Sequence, residues 1–83
     1  MDTEEIYEKL EGKDVGQKRY LMSKIIDKLL EDKYPEITVE KRLDRLKQDE
    51  GYLYKLVQDF FLSSSTAEKE RKLEKIREHT DLF

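Results

Sequence analysis

The chain has 83 residues, 45% of them charged and 36% hydrophobic, and its formal net charge is -3. It contains no cysteine, which excludes disulfides, thiolate metal sites and cysteine nucleophiles. The first residues are acidic and do not lead from a basic segment into an apolar one. No stretch approaches the roughly 20 apolar residues that a membrane span requires. These features predict a cytoplasmic location and no membrane span.

The length predicts a single helical domain over residues 1–83. A chain of this size hides only about 60% of its unfolded surface, so we expect marginal stability. Apolar residues nevertheless recur at helical spacing and the net charge is small, which predicts a folded chain. Lysine and glutamate dominate and asparagine is absent. This bias is typical of thermophilic proteins and equally of small exposed helices, and both interpretations stay open.

A short first helix is predicted over about residues 3–11. Ile6 and Leu10 lie one turn apart in this segment, and Gly12 is a typical helix stop. A loop follows before the next helix.

The second helix is predicted over residues 17–33, with Asp14 and Gln17 repeating the acid-then-glutamine cap pattern. The residue before Pro35 is biased away from helical geometry, so the helix is expected to end at Tyr34. Five apolar residues form one stripe along it: Met22, Ile25, Ile26, Leu29 and Leu30.

The third helix is predicted to start after Thr38 and to continue over residues 39–62. Its apolar residues alternate at spacings of four and three, and Glu50 occupies the one missing position. We predict that the helix continues through Gly51; the alternative is two helices separated there, with the glycine as a C-cap. The stripe consists of Val39, Leu43, Leu46, Leu53, Val57 and Phe60.

The last helix is predicted over residues 66–79, opened by a capping box of Ser65 and Glu68. Its apolar face is thin, with only Ala67, Leu73 and Ile76. Together these elements predict an all-α fold, a small antiparallel three- or four-helix bundle, in which the stripes of the second and third helices face each other.

Catalytic chemistry has few candidates in this sequence. His79 is the only histidine, and its position in the last turn of a helix favours a structural role against the helix dipole. The serines at 63–65 are better explained as a loop and a cap. Paired acids such as Asp49 and Glu50 are more simply solvated helix ends than a metal site. We therefore predict a non-enzyme with no catalytic, metal or cofactor site.

Basic residues are not gathered into a stripe that would suit nucleic acid. Those at 41–45 and 69–77 stand beside acids, so the charges cancel locally. The order of elements superficially matches a helix-turn-helix DNA-binding motif, with the second helix, a turn at Tyr34-Pro35 and a new helix starting at Thr38. Because the overall charge has the wrong sign, nucleic acid is not the expected partner.

Aromatic residues crowd the end of the third helix. Tyr52, Tyr54, Phe60 and Phe61 cannot all point toward one core, because adjacent helical residues differ by about 100° in direction. Exposed aromatics are enriched at protein interfaces, although tyrosine also packs at a core edge. We predict a protein-binding face that includes Tyr52, Tyr54 and Phe61.

The final residues His79-Thr80-Asp81-Leu82-Phe83 resemble the short peptide, Q-x-x-L-F in outline, by which many bacterial replication and repair proteins dock on the sliding clamp. The resemblance covers five residues, and His79 stands where the peptide has glutamine. It implies that Leu82 and Phe83 contact a protein. The alternative is that both side chains cover the thin core of this small domain.

The order and length of the helices are similar to those of the four-helix immunity proteins that protect bacteriocin producers, although no motif supports the match. The function expected from the sequence is a non-catalytic protein–protein interaction module, a small regulatory or accessory factor. Its expected partner is another protein. We also expect the chain to bind a second copy of itself and form a homodimer. The alternatives are a nucleic-acid-associated regulator and an immunity-like protein.

Overall fold

Five α-helices joined by short turns make up the computed structural model, which describes residues 3–80. The all-α bundle predicted from the hydrophobic periodicity is confirmed. Within the described range, no helix has both the length and the apolar character needed to cross a bilayer. The helices are α1 (Thr3–Glu8), α2 (Val15–Lys33), α3 (Val39–Asp49), α4 (Gly51–Leu62) and α5 (Thr66–His79).

Two of the helices begin at caps that the sequence predicts. Asp14 Oδ1 accepts a hydrogen bond of 2.8 Å from the Gln17 backbone N–H at the start of α2. Ser65 Oγ accepts one of 3.1 Å from the backbone N–H of Glu68 at the start of α5. Each cap satisfies an N–H group that has no partner within its helix, and such a cap typically contributes about 1 kcal/mol.

The break between α3 and α4 shows that the predicted continuous helix over 39–62 is wrong. Glu50 leaves the helical region with φ -143° and ψ 80°. In an unbroken helix its carboxylate would occupy an apolar position between Leu46 and Leu53, where burial of a charge is costly. At the break it instead forms a salt bridge with Lys33 at the end of α2.

The directions of α2 and α4 follow from contacts at their ends. Lys33, the last residue of α2, meets Glu50 just before α4. Near the start of α2, Arg19 Nη2 donates a hydrogen bond of 2.7 Å to the carbonyl oxygen of Ser64, just after α4 ends. The end of one helix therefore lies beside the start of the other, and the two run antiparallel.

A similar antiparallel pairing joins α4 and α5. The Tyr52 and His79 rings meet edge to face with centroids 4.8 Å apart, and Lys72 Nζ lies 3.9 Å from Asp59 Oδ2. The residue numbers of the contacting positions increase along α4 while they decrease along α5. Because both α2 and α5 are antiparallel to α4, they run in the same direction.

The buried apolar residues of the described chain form one cluster between these helices. The predicted α2 stripe is entirely buried, and the later predicted core positions Leu46, Leu53, Val57, Phe60, Leu73 and Ile76 are buried as well. Val39, predicted in the core, is 70% exposed, and Leu43 is only half-buried. Since α3 ends at the break, only Leu46 of this helix is buried, and its first turn is left in solvent.

The short helix α1 packs on α2 and is tied to α5 by polar side chains. Arg77 Nη2 donates a hydrogen bond of 2.7 Å to Glu4 Oε1. Ile6 and the nearby Leu10 are buried in the common core. Gly12 follows with φ 81°, the left-handed conformation that glycine adopts without strain, and turns the chain toward α2. Thus α1 separates two surfaces, one toward α5 and one along the outside of α2.

Candidate protein-binding surface

Helix α4 is apolar on more of its circumference than a half-buried helix requires. Only Lys55, Gln58 and Asp59 carry strongly polar side chains among its twelve residues. One face enters the core through Leu53, Leu56, Val57 and Phe60. The remaining large apolar or aromatic side chains, Tyr52, Tyr54, Phe61 and Leu62, must lie outside that face or at its edges.

Four residues outside the buried face of α4 form a continuous outer stripe. Tyr54, Gln58, Phe61 and Leu62 follow one another at i, i+4, i+7 and i+8, the spacing that places side chains on one side of a helix. Phe61 is 45% exposed and Leu62 is 75% exposed. We call these four residues the α4 outer surface.

Tyr54 lies at the inner edge of this surface. Its side chain is half-buried and packs against the core cluster. Lys47 of α3 places its Nζ 5.7 Å from the centroid of the Tyr54 ring, a cation–π arrangement. Tyr54 therefore lies at the boundary between the core and the exposed side of α4.

Tyr52 lies on a different side of α4 from the other predicted binding aromatics. It precedes Tyr54 by two positions, which turns its side chain by about 200°. The ring is 61% exposed and meets His79 of α5 edge to face. The structure therefore places Tyr54 and Phe61 on the same side of α4, about two turns apart, and Tyr52 on a different side.

Gln58 and Leu62 are the two members of the surface that the sequence did not predict, and Leu62 is the more exposed apolar one. Its spacing of eight residues from Tyr54 and four from Gln58 was the available signal, but attention to aromatic side chains alone passes over it. The predicted contact residues Leu82 and Phe83 lie outside the described residues.

Hydrogen bonds and ring contacts hold the end of α4 in place. Ser63 Oγ donates a hydrogen bond of 2.7 Å to the carbonyl oxygen of Asp59. The Phe60 ring, which is 1% exposed, meets the Phe61 ring edge to face with centroids 5.4 Å apart. The exposed Phe61 ring therefore packs against a buried side chain of the core.

Lys69 of α5 also contacts the last turn of α4. Its Nζ donates a hydrogen bond of 2.9 Å to the carbonyl oxygen of Phe60 and lies 4.7 Å from the centroid of that ring. Burial lowers the pKa of the Lys69 ammonium, and the nearby positive charge of Arg19 lowers it further. The last turn of α4 is thereby joined to α5 directly behind the exposed Phe61 and Leu62.

Among residues 3–80, no group of three or more histidine, aspartate or glutamate side chains is arranged to hold a metal ion. The single histidine in that range, His79, packs against Tyr52.

Comparison with known proteins gives no family assignment: no protein-family model, curated protein or solved structure matches this chain.

Proposed function

We propose that the domain is a non-catalytic protein–protein interaction module that binds its partner through the α4 outer surface. One observation carries the proposal: Phe61 and Leu62 are substantially exposed beside Tyr54, on one side of one helix. Clustered exposed apolar area on a small domain more often marks a contact surface than an accident.

The composition of the surface suits recognition of a protein. Two aromatic side chains and a leucine share one side of α4 with Gln58, whose amide can both donate and accept hydrogen bonds. Aromatic residues are enriched at interfaces because they bury much area with few rotatable bonds. The spacing of the four residues is that of an amphipathic helix whose apolar ridge fits a hydrophobic groove.

The attachment of the surface to the core lowers the expected cost of binding. Phe61 rests on the buried Phe60, and Tyr54 packs against the core cluster. Side chains that are ordered before binding lose less conformational entropy when they are covered. The surface offers a phenol, an amide and two hydrocarbon groups, which suit contact rather than bond-breaking chemistry.

Photocrosslinking from position 62 tests the proposal in the cells that make the protein. A benzophenone amino acid replaces Leu62 in one variant and Val39 in a matched variant, since Val39 is similarly exposed but belongs to α3. The expected result is one crosslinked protein from position 62 that is absent from position 39. Equal products at both positions would contradict the proposal.

Affinity for the captured protein then tests individual side chains. Phe61→Ala should weaken binding by about 2 kcal/mol or more if Phe61 is a hot spot. Tyr52→Ala is the matched control, because it removes an exposed aromatic ring from a different side of the same helix. If Tyr52→Ala weakens binding as much as Phe61→Ala, the contact surface is not the one proposed.

A further inference from the structure

A second surface with a different character lies along the outside of α2, beside α1. Two adjoining cavities of about 490 and about 430 Å³ open there, and they share Tyr20 and Leu21 as lining residues. Along α2, the residues at 17, 20, 21, 24 and 28 follow one another at helical spacing, so they form one stripe. We call this surface the lysine-lined groove.

The middle of the groove is apolar. Tyr20 is 56% exposed, whereas Leu21 is half-buried and packs against the core. Ile6 of α1, a buried core residue, lines the larger cavity beside them. A ligand side chain seated between Tyr20 and Leu21 would therefore contact hydrocarbon continuous with the core.

Four lysines surround this apolar patch, namely Lys9, Lys13, Lys24 and Lys28. Lys24 Nζ lies 5.4 Å from the centroid of the Tyr20 ring. Lys28 forms an ion pair of 3.3 Å with Asp32, one turn further along α2. Lys13 and Lys24 form no ion pair with any residue in the described part of the chain, so their charges are available to a ligand.

The distribution of acids around the groove is one-sided. The smaller cavity has no carboxylate among its lining residues, and the larger one has Asp27 and Glu31 toward the end of α2. A third cavity of about 520 Å³, between α1 and α5, has a larger share of acids in its lining: five glutamates (Glu4, Glu8, Glu11, Glu70 and Glu74) and two cations, Lys18 and Arg77, which pair with Glu70 and Glu4. Charge is thus separated across α1, although the whole chain is weakly acidic.

We propose that the lysine-lined groove binds an acidic amphipathic segment of a partner protein. An apolar side chain of that segment packs between Tyr20 and Leu21, while its carboxylates pair with Lys13 and Lys24. From Gln17 to Lys28 the stripe covers about 16 Å of helix, the length of about three helical turns of a ligand. The lysines favour an acidic segment by charge complementarity. The apolar patch between the lysines favours a segment that is also amphipathic.

This inference is independent of the function proposed for α4. The two surfaces share no residue, and α2 and α4 turn their buried faces toward a common core. Variants of one surface should therefore leave binding at the other intact, so failure of one proposal does not imply failure of the other.

Fluorescence anisotropy with the full chain and a designed peptide tests the inference. The probe is a fluorescein-labelled peptide of about 16 residues, long enough to form a helix, with leucines on one face and glutamates on the other. We expect saturable binding that weakens as sodium chloride rises from about 50 to about 300 mM, because exposed charge pairs are screened.

Charge reversal in the groove is the main variant. Lys13→Glu combined with Lys24→Glu should weaken peptide binding at least about tenfold, because attraction becomes repulsion at two contacts. The matched control combines Lys41→Glu with Lys75→Glu, which makes the same change in net charge at exposed residues of α3 and α5 and should leave affinity unchanged. Equal weakening by both pairs would overturn the proposal, since only net charge would then matter.

Two altered peptides and one further variant test the charged and the apolar contacts separately. A peptide with lysines in place of the glutamates, and one with serines in place of the leucines, should each bind at least about tenfold more weakly. Tyr20→Ser should also weaken binding while thermal unfolding by circular dichroism stays cooperative. If this variant does not fold, the charge-reversal pair decides, because its residues are exposed.

Three results would overturn the proposal. The first is absence of peptide binding by the wild-type chain. The second is sedimentation with phosphatidylserine vesicles that the charge-reversal pair abolishes, without peptide binding, which would assign the groove to an anionic membrane. The third is self-association of the wild-type chain that the same pair abolishes, which would show that a second copy covers the groove.

Discussion

The Tyr7 hydroxyl donates a hydrogen bond of 2.6 Å to Glu74 Oε2 and thereby joins α1 to α5. The guanidinium carbon of Arg77 lies 4.6 Å from the centroid of the Tyr7 ring, and its Nη2 reaches Glu4 of α1. Tyr7 and Glu4 of α1 thus contact Glu74 and Arg77 of α5. The docking of α1 depends on these polar contacts as well as on its buried Ile6.

Alkaline titration should detect the Tyr7 contact. The hydrogen bond to Glu74, together with burial, raises the pKa of the Tyr7 phenol. The stability that this shift contributes is complete below the ordinary phenol pKa of about 10 and is lost as pH rises through the higher folded-state value. Tyr7→Phe should remove one late-ionising phenol from the ultraviolet titration curve.

A control for this titration is Tyr34→Phe. Burial and the nearby Asp49 also raise the pKa of the Tyr34 phenol, so this variant should remove a second late step. The assignment of Tyr7 would be wrong if Tyr7→Phe left the late part of the curve unchanged.

Two glycines should respond oppositely to alanine. Gly51 has no positive φ, and a Cβ built there would meet nothing within 4 Å, so Gly51→Ala should stabilise the fold by about 0.4 to 1 kcal/mol through the unfolded state. Gly12 has φ 81°, so Gly12→Ala should lower the free energy of unfolding by about 1 kcal/mol or more. Urea unfolding of both variants measures the difference, and effects of the same sign would contradict it.

Neighbouring phenylalanines in α4 provide a matched pair for stability. Phe60 is 1% exposed, and Phe60→Ala should cost about 3 to 5 kcal/mol of unfolding free energy. Phe61 is 45% exposed, so Phe61→Ala should cost much less while it weakens partner binding. Denaturant unfolding gives both values. If Phe61→Ala unfolds the domain, Phe61 belongs to the core rather than to the α4 outer surface.

Replacing Glu50 should change how α3 and α4 are joined. Glu50→Leu completes the apolar stripe over residues 39–60, which favours an unbroken helix that pairs with a second copy in the manner of a coiled coil. Sedimentation equilibrium should then show a larger dimer fraction than the wild-type chain at equal concentration.

The matched control at this position is Glu50→Gln. It removes the ion pair with Lys33 but keeps a polar side chain at the break, so we expect no added association. If Glu50→Leu sediments like Glu50→Gln, the interruption of the apolar stripe at position 50 is not what keeps the helices separate.

The parts of the fold that depend on local pattern could be predicted from the sequence. The α2 stripe is buried as its spacing predicts, and Asp14 and Ser65 cap the helices that follow them. These features depend on residues within two or three turns of one another. Local periodicity and cap chemistry are sufficient to specify them.

The parts that depend on tertiary contacts could not be predicted in this way. A regular apolar spacing across Glu50 describes one helix or two equally well, and the contact between Glu50 and Lys33 becomes evident only in the packed structure. Val39 has the spacing of a core residue but lies beyond the reach of the core. The lysine-lined groove combines residues of α2 with Lys9 and Lys13 of the preceding turn and Ile6 of α1, so its charge becomes evident only when these segments are packed.

The attachment of α1 also determines the order in which parts of the domain are expected to open. Glu4 with Arg77 and Tyr7 with Glu74 tie α1 to α5 through polar side chains. A six-residue helix has little buried area to add to these contacts, and a short turn joins it to α2, so it can open while the other helices stay packed. We therefore expect the amides of α1 to exchange with solvent through local opening, well before those of α2. Each such opening would remove one wall of the groove beside Tyr20, so occupancy of that groove should slow amide exchange in α1.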